Sequence, residues 1–254
     1  MFVRKLLFII GLVCGVIISY PTLVIAYSEH IESLTDDFLT VHFIDVGQGD
    51  SILIKTPENK HILIDGGPPA AGENVMAYLK KHNVQAVDLL VATHPHYDHI
   101  GGLVNVIEEM PVKRIVHTGI VHPTKTFFTY MYQIFKHAIP INIPVKNEQL
   151  LNEKDLSLEV LNSDAADSSI NNASLVLKLT YHDVDFLLMS DLEKDAEKNF
   201  QYTSLLQADI IKVAHHGSKT SSSLDFLKRV APDVAILTYG RKNEYGHPNE
   251  RVIE

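Results

Sequence analysis

The sequence predicts an α/β fold in which two β-sheets pack face to face and helices cover both outer sides. Two observations lead there. Short apolar runs rich in Val, Ile and Leu alternate with segments of helical spacing in the order strands, helix, strand, helix, strand, and the scheme returns in the second half. In addition, 46% of the 254 residues are apolar and 21% charged, with no repeat, low-complexity tract or internal linker, so one large core is available.

The elements follow in order. Residues 39–46 alternate loosely as a first strand and run into the turn Gly47-Gln48-Gly49-Asp50. Strands at 51–55 and 61–64 flank a turn at 56–60 and close at Asp65-Gly66-Gly67-Pro68. Val75, Tyr78 and Leu79 give 74–82 helical spacing, and a buried strand at 87–92 follows. Gly101-Gly102 opens a helix at 103–110, and 114–117 is a strand. In 127–138, Phe128, Met131, Ile134 and Phe135 recur at helical spacing and read as a core-facing stripe. Residues 156–161 alternate as a strand, and 174–181 and 186–189 form a hairpin across 182–185. Helices are expected at 193–206 and 222–230, a buried strand at 209–214 and the last strand at 233–238.

At the start of the chain, Arg4-Lys5 precede a continuous apolar run from Leu6 to Tyr20, and Val24-Ile25-Ala26 precede a candidate cut before Tyr27. Residues 1–26 therefore have the architecture of an export signal. Cleavage is the expectation; the alternative is an uncleaved anchor, since the apolar stretch could just span ~30 Å of hydrocarbon. Residues 27–38 are an acidic linker and 39–254 the folded body, which is expected to be secreted or held on the extracellular face, touching membrane only through its N-terminal segment. The single cysteine, Cys14, excludes an intrachain disulfide and leaves the body without a thiolate ligand. Without residues 1–26 the chain keeps 20 basic against 31 acidic residues, a net charge of −11. Such a body lacks the Lys/Arg excess of an extended phosphate-binding surface, although bound cations would supply positive charge locally.

The densest chemistry lies in Thr93-His94-Pro95-His96-Tyr97-Asp98-His99, directly after the strand at 87–92. Three imidazoles and a carboxylate fall within six residues, a mixture suited to a borderline-soft divalent ion. A strand feeding this loop projects His94 and His96 to one side, and the turn swings Asp98 and His99 toward a neighbouring point. A histidine-rich polar turn is the bland alternative, and four ligand-type residues at this spacing weigh against it. Asp65, Asp191 and His215-His216 also follow apolar strands, on the rim where loops collect. Taken singly, Asp191 suits a helix cap, Asp65 a turn and the two histidines a surface bend. Their shared position points to one site.

The set His94-Pro95-His96-Tyr97-Asp98-His99, Met189-Ser190-Asp191 and His215-His216-Gly217-Ser218 resembles the metallo-β-lactamase-fold hydrolases. Asp45-Val46-Gly47-Gln48-Gly49-Asp50, Gly101-Gly102 and Tyr245-Gly246-His247-Pro248 resemble one branch, the extracellular hydrolase domain of ComEC-type DNA-uptake proteins and its stand-alone secreted relatives. The likeness runs from about Thr40 to Pro248. It implies a four-layer αββα sandwich holding one or two divalent metal ions, zinc first and manganese as the alternative. It further implies that His94 and His96 bind the first ion, Asp98 and His99 the second, and Asp191 both. One of His215 and His216 would complete the second ion's ligands and the other face a phosphate oxygen. Many members carry a further histidine where this chain has Asn171-Asn172-Ala173-Ser174, a departure that weakens the first position and suits a harder ion. His117, His122 and His182 read as ordinary strand-end, loop and hairpin residues, and Asp45 and Asp50 as residues that hold the rim loops.

A divalent ion lowers the pKa of its water from about 15.7 to about 7, so the expected activity is hydrolysis by a metal-bound hydroxide. Asp98 and Asp191 are the candidates to orient or accept the proton, and His247 is the candidate acid for the leaving group, with a rigid turn as its plainer reading. The expected substrate is a phosphodiester, in nucleic acid such as DNA, in a teichoic-acid-type polymer or in another wall phosphoester. The alternatives are a catalytically weak metal-binding module assisting DNA uptake and a β-lactam or thioester hydrolase.

Overall fold

The computed structural model describes residues 38–254 except 168 and 201–203. The expected export segment, 1–26, and most of the linker lie outside the described residues. None of the described helices is long and apolar enough to cross a membrane.

Two six-stranded sheets form the centre. In the first, β1 (Thr40–Phe43), β2 (Ile52–Lys55), β3 (His61–Ile64), β4 (Leu89–Ala92), β5 (Ile115–His117) and β6 (Ile141–Asn142) lie in chain order. The second runs in the reverse of chain order, from β12 (Val234–Ile236) through β11 (Ile210–Lys212), β10 (Val184–Leu188), β9 (Val176–Tyr181) and β8 (Leu156–Asn162) to β7 (Gln149–Glu153). Because side chains alternate across a strand, each strand feeds two cores. Ile52, Ile54, Ile62, Ile64, Leu89 and Val91 meet Leu158, Val160, Leu177 and Leu179 between the sheets. Leu53, Leu63, Leu90 and Ile115 point outward beneath α1 (Gly72–Lys81), α3 (Leu103–Glu109) and α4 (Lys125–Lys136). On the opposite side Val176, Leu187 and Ile211 pack with Phe226 of α6 (Leu224–Val230) and Ala196 of α5 (Lys194–Glu197). The expected four-layer αββα sandwich is the fold observed. Truncating a central residue such as Leu177 to Ala would cost about 2–5 kcal/mol.

Several local expectations need correction. Residues 193–206 are not one helix: α5 ends at Glu197, and 3-10 turns follow at Lys198–Phe200 and Ser204–Leu206. The apolar spacing Leu192, Ala196, Phe200 stops there, and the buried Glu197 carboxylate is drawn sideways to the Ser223 amide and hydroxyl. In α4 the core face is Phe127, Tyr130 and Ile134, whereas Phe128 and Phe135 are exposed. Its apolar arc is wider than the face it buries, and the buried face is turned to include Gln133 at the edge of that arc, so periodicity alone did not choose which apolar residues are covered. Strands β6 and β7, the one-turn helix α2 (Tyr97–Ile100) and the terminal turn α7 (Glu250–Ile253) were not anticipated; most are too short for a periodic signal.

Candidate metal centre

Parallel pairing fixes the location of the site. β3 pairs in parallel with β4, and β10 with β11, so in each sheet the two C-terminal ends open on one rim, and the two rims meet. There β3 delivers Asp65, β4 delivers Thr93 and His94, β10 leads to Ser190 and Asp191, and β11 to His215 and His216. The sheets are tied at this point: Leu175 N–H donates to Thr93 O at 2.9 Å, and Ser190 Oγ donates to Thr93 Oγ1 at 2.8 Å. Asp65, Ser190, His215 and His216 all have φ between 48° and 57°. Four non-glycine residues in the left-handed region at one rim are the kind of local strain that clusters at functional sites.

Close backbone contact sets the histidine loop. The Gly66 amide donates to His99 O at 2.7 Å, and the Gly102 amide to Gly67 O at 3.0 Å. A Cβ on Gly102 would stand 2.0 Å from Gly66 O, so neither strand of this contact admits a side chain. Gly49 is similar, since its Cβ would lie 2.2 Å from Asp98 O.

The sequence-predicted residues converge. Asp191 is buried at the centre: Oδ2 lies 3.6 Å from His94 Nε2, 3.3 Å from His99 Nε2 and 3.8 Å from His215 Nε2, and Oδ1 lies 3.6 Å from His216 Nε2. Asp98 Oδ2 is 3.6 Å from His216 Nε2. His96 Nδ1 faces His94 Nε2 at 3.0 Å. Donor atoms lie within 4.8 Å of one another in the groups His94–His99–Asp191, Asp98–His99–His216, Asp50–Asp65–His99 and Asp50–Asp191–His216. His96 and His215 stand outside these groups. His216 is buried, whereas His215 sits on the open side with Nδ1 3.5 Å from Glu193 Oε1. That difference separates two neighbours the sequence left equivalent. Asp65 accepts from Thr93 N–H at 2.8 Å and Thr93 Oγ1 at 2.6 Å, and pairs with His99 Nδ1 at 2.8 Å, so it orients His99.

The donor set fits a divalent cation. His99 Nε2, His216 Nε2 and Asp191 Oδ1 are buried without a hydrogen-bond partner, both imidazoles turned toward the Asp191 carboxylate. Such atoms are costly unless a ligand satisfies them. Burial would lower His99, but Asp191 and Asp65 raise it well above its ordinary value. Burial likewise opposes charge on His216, yet Asp191 and Asp50 raise it to about 9. Burial and then His99 hold His94 well below the usual histidine range. Burial would raise Asp191, but His99 and His216 outweigh it and keep the carboxyl well below the usual range.

Residues 44–241 match the Metallo-beta-lactamase superfamily. The chain belongs to that superfamily. Within it, this metallo-β-lactamase-superfamily chain is 33% identical over 234 residues to ComE operon protein 3 of Bacillus subtilis, covering 84% of the chain and 30% of that protein. It is 30% identical over 225 residues to Competence protein ComA of Neisseria gonorrhoeae, covering 87% and 30%. The chain thus spans about a third of these relatives' length. In fold it is similar to the metallo-β-lactamase fold protein YhfI of Bacillus subtilis, with a TM-score of 0.54, 13% identity and coverage of 84% of this chain and 91% of that one. The superfamily and its competence-protein branch are those expected from the motifs.

The cleft above the cluster has a volume of about 260 Å³ and is lined by Gln48, Tyr97, Asn171, His215, Tyr245 and His247 among others. Asn171, from the stretch Asn171–Ser174 where the resemblance implies a further histidine in many members, lines the cleft, and its Oδ1 is buried without a partner. Tyr97 and Tyr245 form the rim, 46% and 59% exposed, with hydroxyls 3.3 Å apart. The Tyr245 ring stacks on His247 at 5.6 Å. Gln48 Oε1 accepts from Gly240 N–H, which turns Nε2 to donate to His247 Nδ1 at 3.3 Å. A neutral His247 then carries its proton on Nε2. His182 is exposed, and His117 Nδ1 accepts from Gly119 N–H, both as expected of ordinary residues. His122 lies closer than expected, with its ring 5.5 Å from that of His96. Sequence reasoning passed over Gln48, Tyr97 and Lys212 as individuals. For Lys212 the available signal was one ammonium inside the apolar run Ile210-Ile211-Lys212-Val213-Ala214.

Proposed function

We propose that this chain is a metal-dependent phosphodiesterase, exported from the cytoplasm, acting on nucleic acid or on a wall phosphoester. The observation that carries this reading is the buried His/Asp cluster, with its partnerless donor atoms, at the floor of a cleft with an aromatic rim. His94, His96 and Asp191 would hold one ion, and Asp98, His99, His216 and Asp191 the other. When bound, such ions supply Lewis-acid charge at a phosphoryl group and make water a nucleophile at neutral pH.

The chain's own groups do the rest. His215, anchored through Nδ1 toward Glu193, presents Nε2 on the open side to a phosphate oxygen. Asp98 and Asp191 orient protons rather than keep them, because burial is outweighed by neighbouring imidazoles and both carboxyls are held low. His247, fixed by Gln48, directs Nε2–H at the leaving oxygen as a hydrogen-bond donor that stabilises its developing charge. The exposed faces of Tyr97 and Tyr245 suit a substrate with planar groups, which favours nucleic acid over a polyol phosphate. The competence names of the relatives support the same choice. Asn171 in place of histidine supports a second reading, a metal-binding module of low activity.

The test is hydrolysis of bis-p-nitrophenyl phosphate and a single-stranded oligonucleotide beside a β-lactam and a thioester, with zinc or manganese. Diester turnover alone is expected. Turnover of the β-lactam or thioester alone would overturn the substrate class, and metal binding with no turnover would leave the module reading.

A further inference from the structure

Beneath the cluster lies a charge pair that the reading above does not use. Lys212, in β11, is 0% exposed, and its Nζ lies 2.5 Å from Asp50 Oδ2. The other oxygen, Asp50 Oδ1, accepts from Thr238 Oγ1 at 2.5 Å and lies 3.4 Å from His216 Nδ1. His216 Nδ1 is also 3.0 Å from the Thr238 carbonyl. Two acceptors therefore face Nδ1, so that nitrogen donates, and Nε2 is the nitrogen turned toward Asp98 and Asp191, 3.6 Å from each, free to give up its proton to a metal ion. An imidazole whose second nitrogen is held by a carboxylate and a carbonyl is fixed in both rotation and tautomer.

Stability alone does not call for these charges. Replacing a buried ion pair by apolar side chains of similar size is often neutral or favourable, whereas removing one partner is strongly destabilising. Asp50 also has ligand reach, since its carboxylate lies within 4.8 Å of the donor atoms of Asp191 and His216. Lys212 and Thr238 take up one oxygen each, which leaves Asp50 a hydrogen-bond acceptor for His216 rather than a competing ligand. The backbone agrees: the Asp50 amide donates to Asp98 O at 3.3 Å, so the turn carrying Asp50 also abuts the histidine loop.

We propose that Lys212 and Asp50 are positioning residues of the metal centre, fixing which nitrogen of His216 is presented to the ion and keeping Asp50 out of the ligand set. This rests on the cluster being a metal centre. It makes His216 the ligand of the two adjacent histidines and gives the Gly47–Asp50 turn a role in metal selection.

The experiment uses the full chain carrying Lys212→Met, Asp50→Asn, both together, or Thr238→Val. Three quantities are read: the thermal midpoint of the metal-free protein, the zinc and manganese affinities by chelator competition, and the ring carbon-13 shifts of His216 in zinc-loaded protein. Each charge-removing single variant should lower the metal-free midpoint. The double variant should regain most of it yet bind its weaker ion about 10–100-fold less tightly than wild type, the usual effect of losing an outer partner. Thr238→Val keeps the ion pair and should fold, with affinity reduced several-fold, and the wild-type shifts should report coordination through Nε2. Wild-type affinity in the double variant together with wild-type shifts would overturn the proposal and leave the pair a structural staple. Should the double variant not fold, unchanged affinity in Thr238→Val does the same. Wild-type protein that binds neither metal would instead overturn the metal-centre reading itself.

Discussion

Asp191→Ala is the most informative single substitution at this site. Its two oxygens face four imidazoles at 3.3 to 3.8 Å, and it belongs to ligand groups on both sides of the cluster. An outer partner of a metal ligand is worth about 10–100-fold in affinity. A direct ligand shared by two ions should therefore exceed ~100-fold for each, or about 2.8 kcal/mol. That loss is visible in stability. At a metal concentration ~1,000 times Kd, binding stabilises the native state by about 4.1 kcal/mol, and at ~10 times Kd by about 1.4 kcal/mol. For a domain of this size about 1 kcal/mol moves the midpoint by ~2–4 °C. Each bound ion should thus raise the wild-type midpoint by about 8–16 °C and that of the variant by about 3–6 °C at the same concentration. Scanning calorimetry with and without chelator measures both, and elemental analysis after gel filtration gives the stoichiometry. Diester turnover should fall to background. A variant with two ions and the full wild-type midpoint increase would refute the bridging role.

Other outcomes follow from the same geometry. His247→Ala should slow a diester with an alkoxide leaving group by about 10²–10⁴-fold and a nitrophenyl ester far less; equal losses in parallel kinetics would leave His247 a structural turn. Tyr97→Ala with Tyr245→Ala should lower kcat/KM on a single-stranded oligonucleotide by at least about 10-fold, from about 1–3 kcal/mol per stacked base, while sparing bis-p-nitrophenyl phosphate. Metal binding at pH 7 should release protons, because His99 and His216 are raised and so charged in the metal-free protein. Titration calorimetry in buffers of different ionisation heat should show the His216 contribution fading, and affinity rising, as pH passes about 9.

Much of this was legible in the sequence. The unbroken apolar runs Ile62-Leu63-Ile64 and Leu89-Leu90-Val91 report strands buried on both faces, one in the inter-sheet core and the other in the helix-facing core. The site was partly legible because parallel strands bring their C-terminal ends together, so Asp65 and His94 share the rim of one sheet and Asp191 and His216 that of the other, while the meeting of the two rims is set by how the sheets pack. What stayed hidden depends on long-range register. No local pattern shows that Lys212 meets Asp50, 162 residues away, or that Thr238 Oγ1 donates to the same carboxylate. The choice between His215 and His216 was likewise invisible, since two adjacent residues with φ of 50° and 54° point their rings apart for reasons set by the fold around them.

The most direct test of the metal-dependent phosphodiesterase reading is a titration of metal-free full chain with zinc or manganese while bis-p-nitrophenyl phosphate turnover is followed. Activity should be absent at the start and rise in proportion to added metal to a plateau at one or two equivalents. It should do so in wild type and not in Asp191→Ala. Tight binding of the ions with turnover that stays at background throughout, or turnover equal in the presence of chelator, would contradict the account.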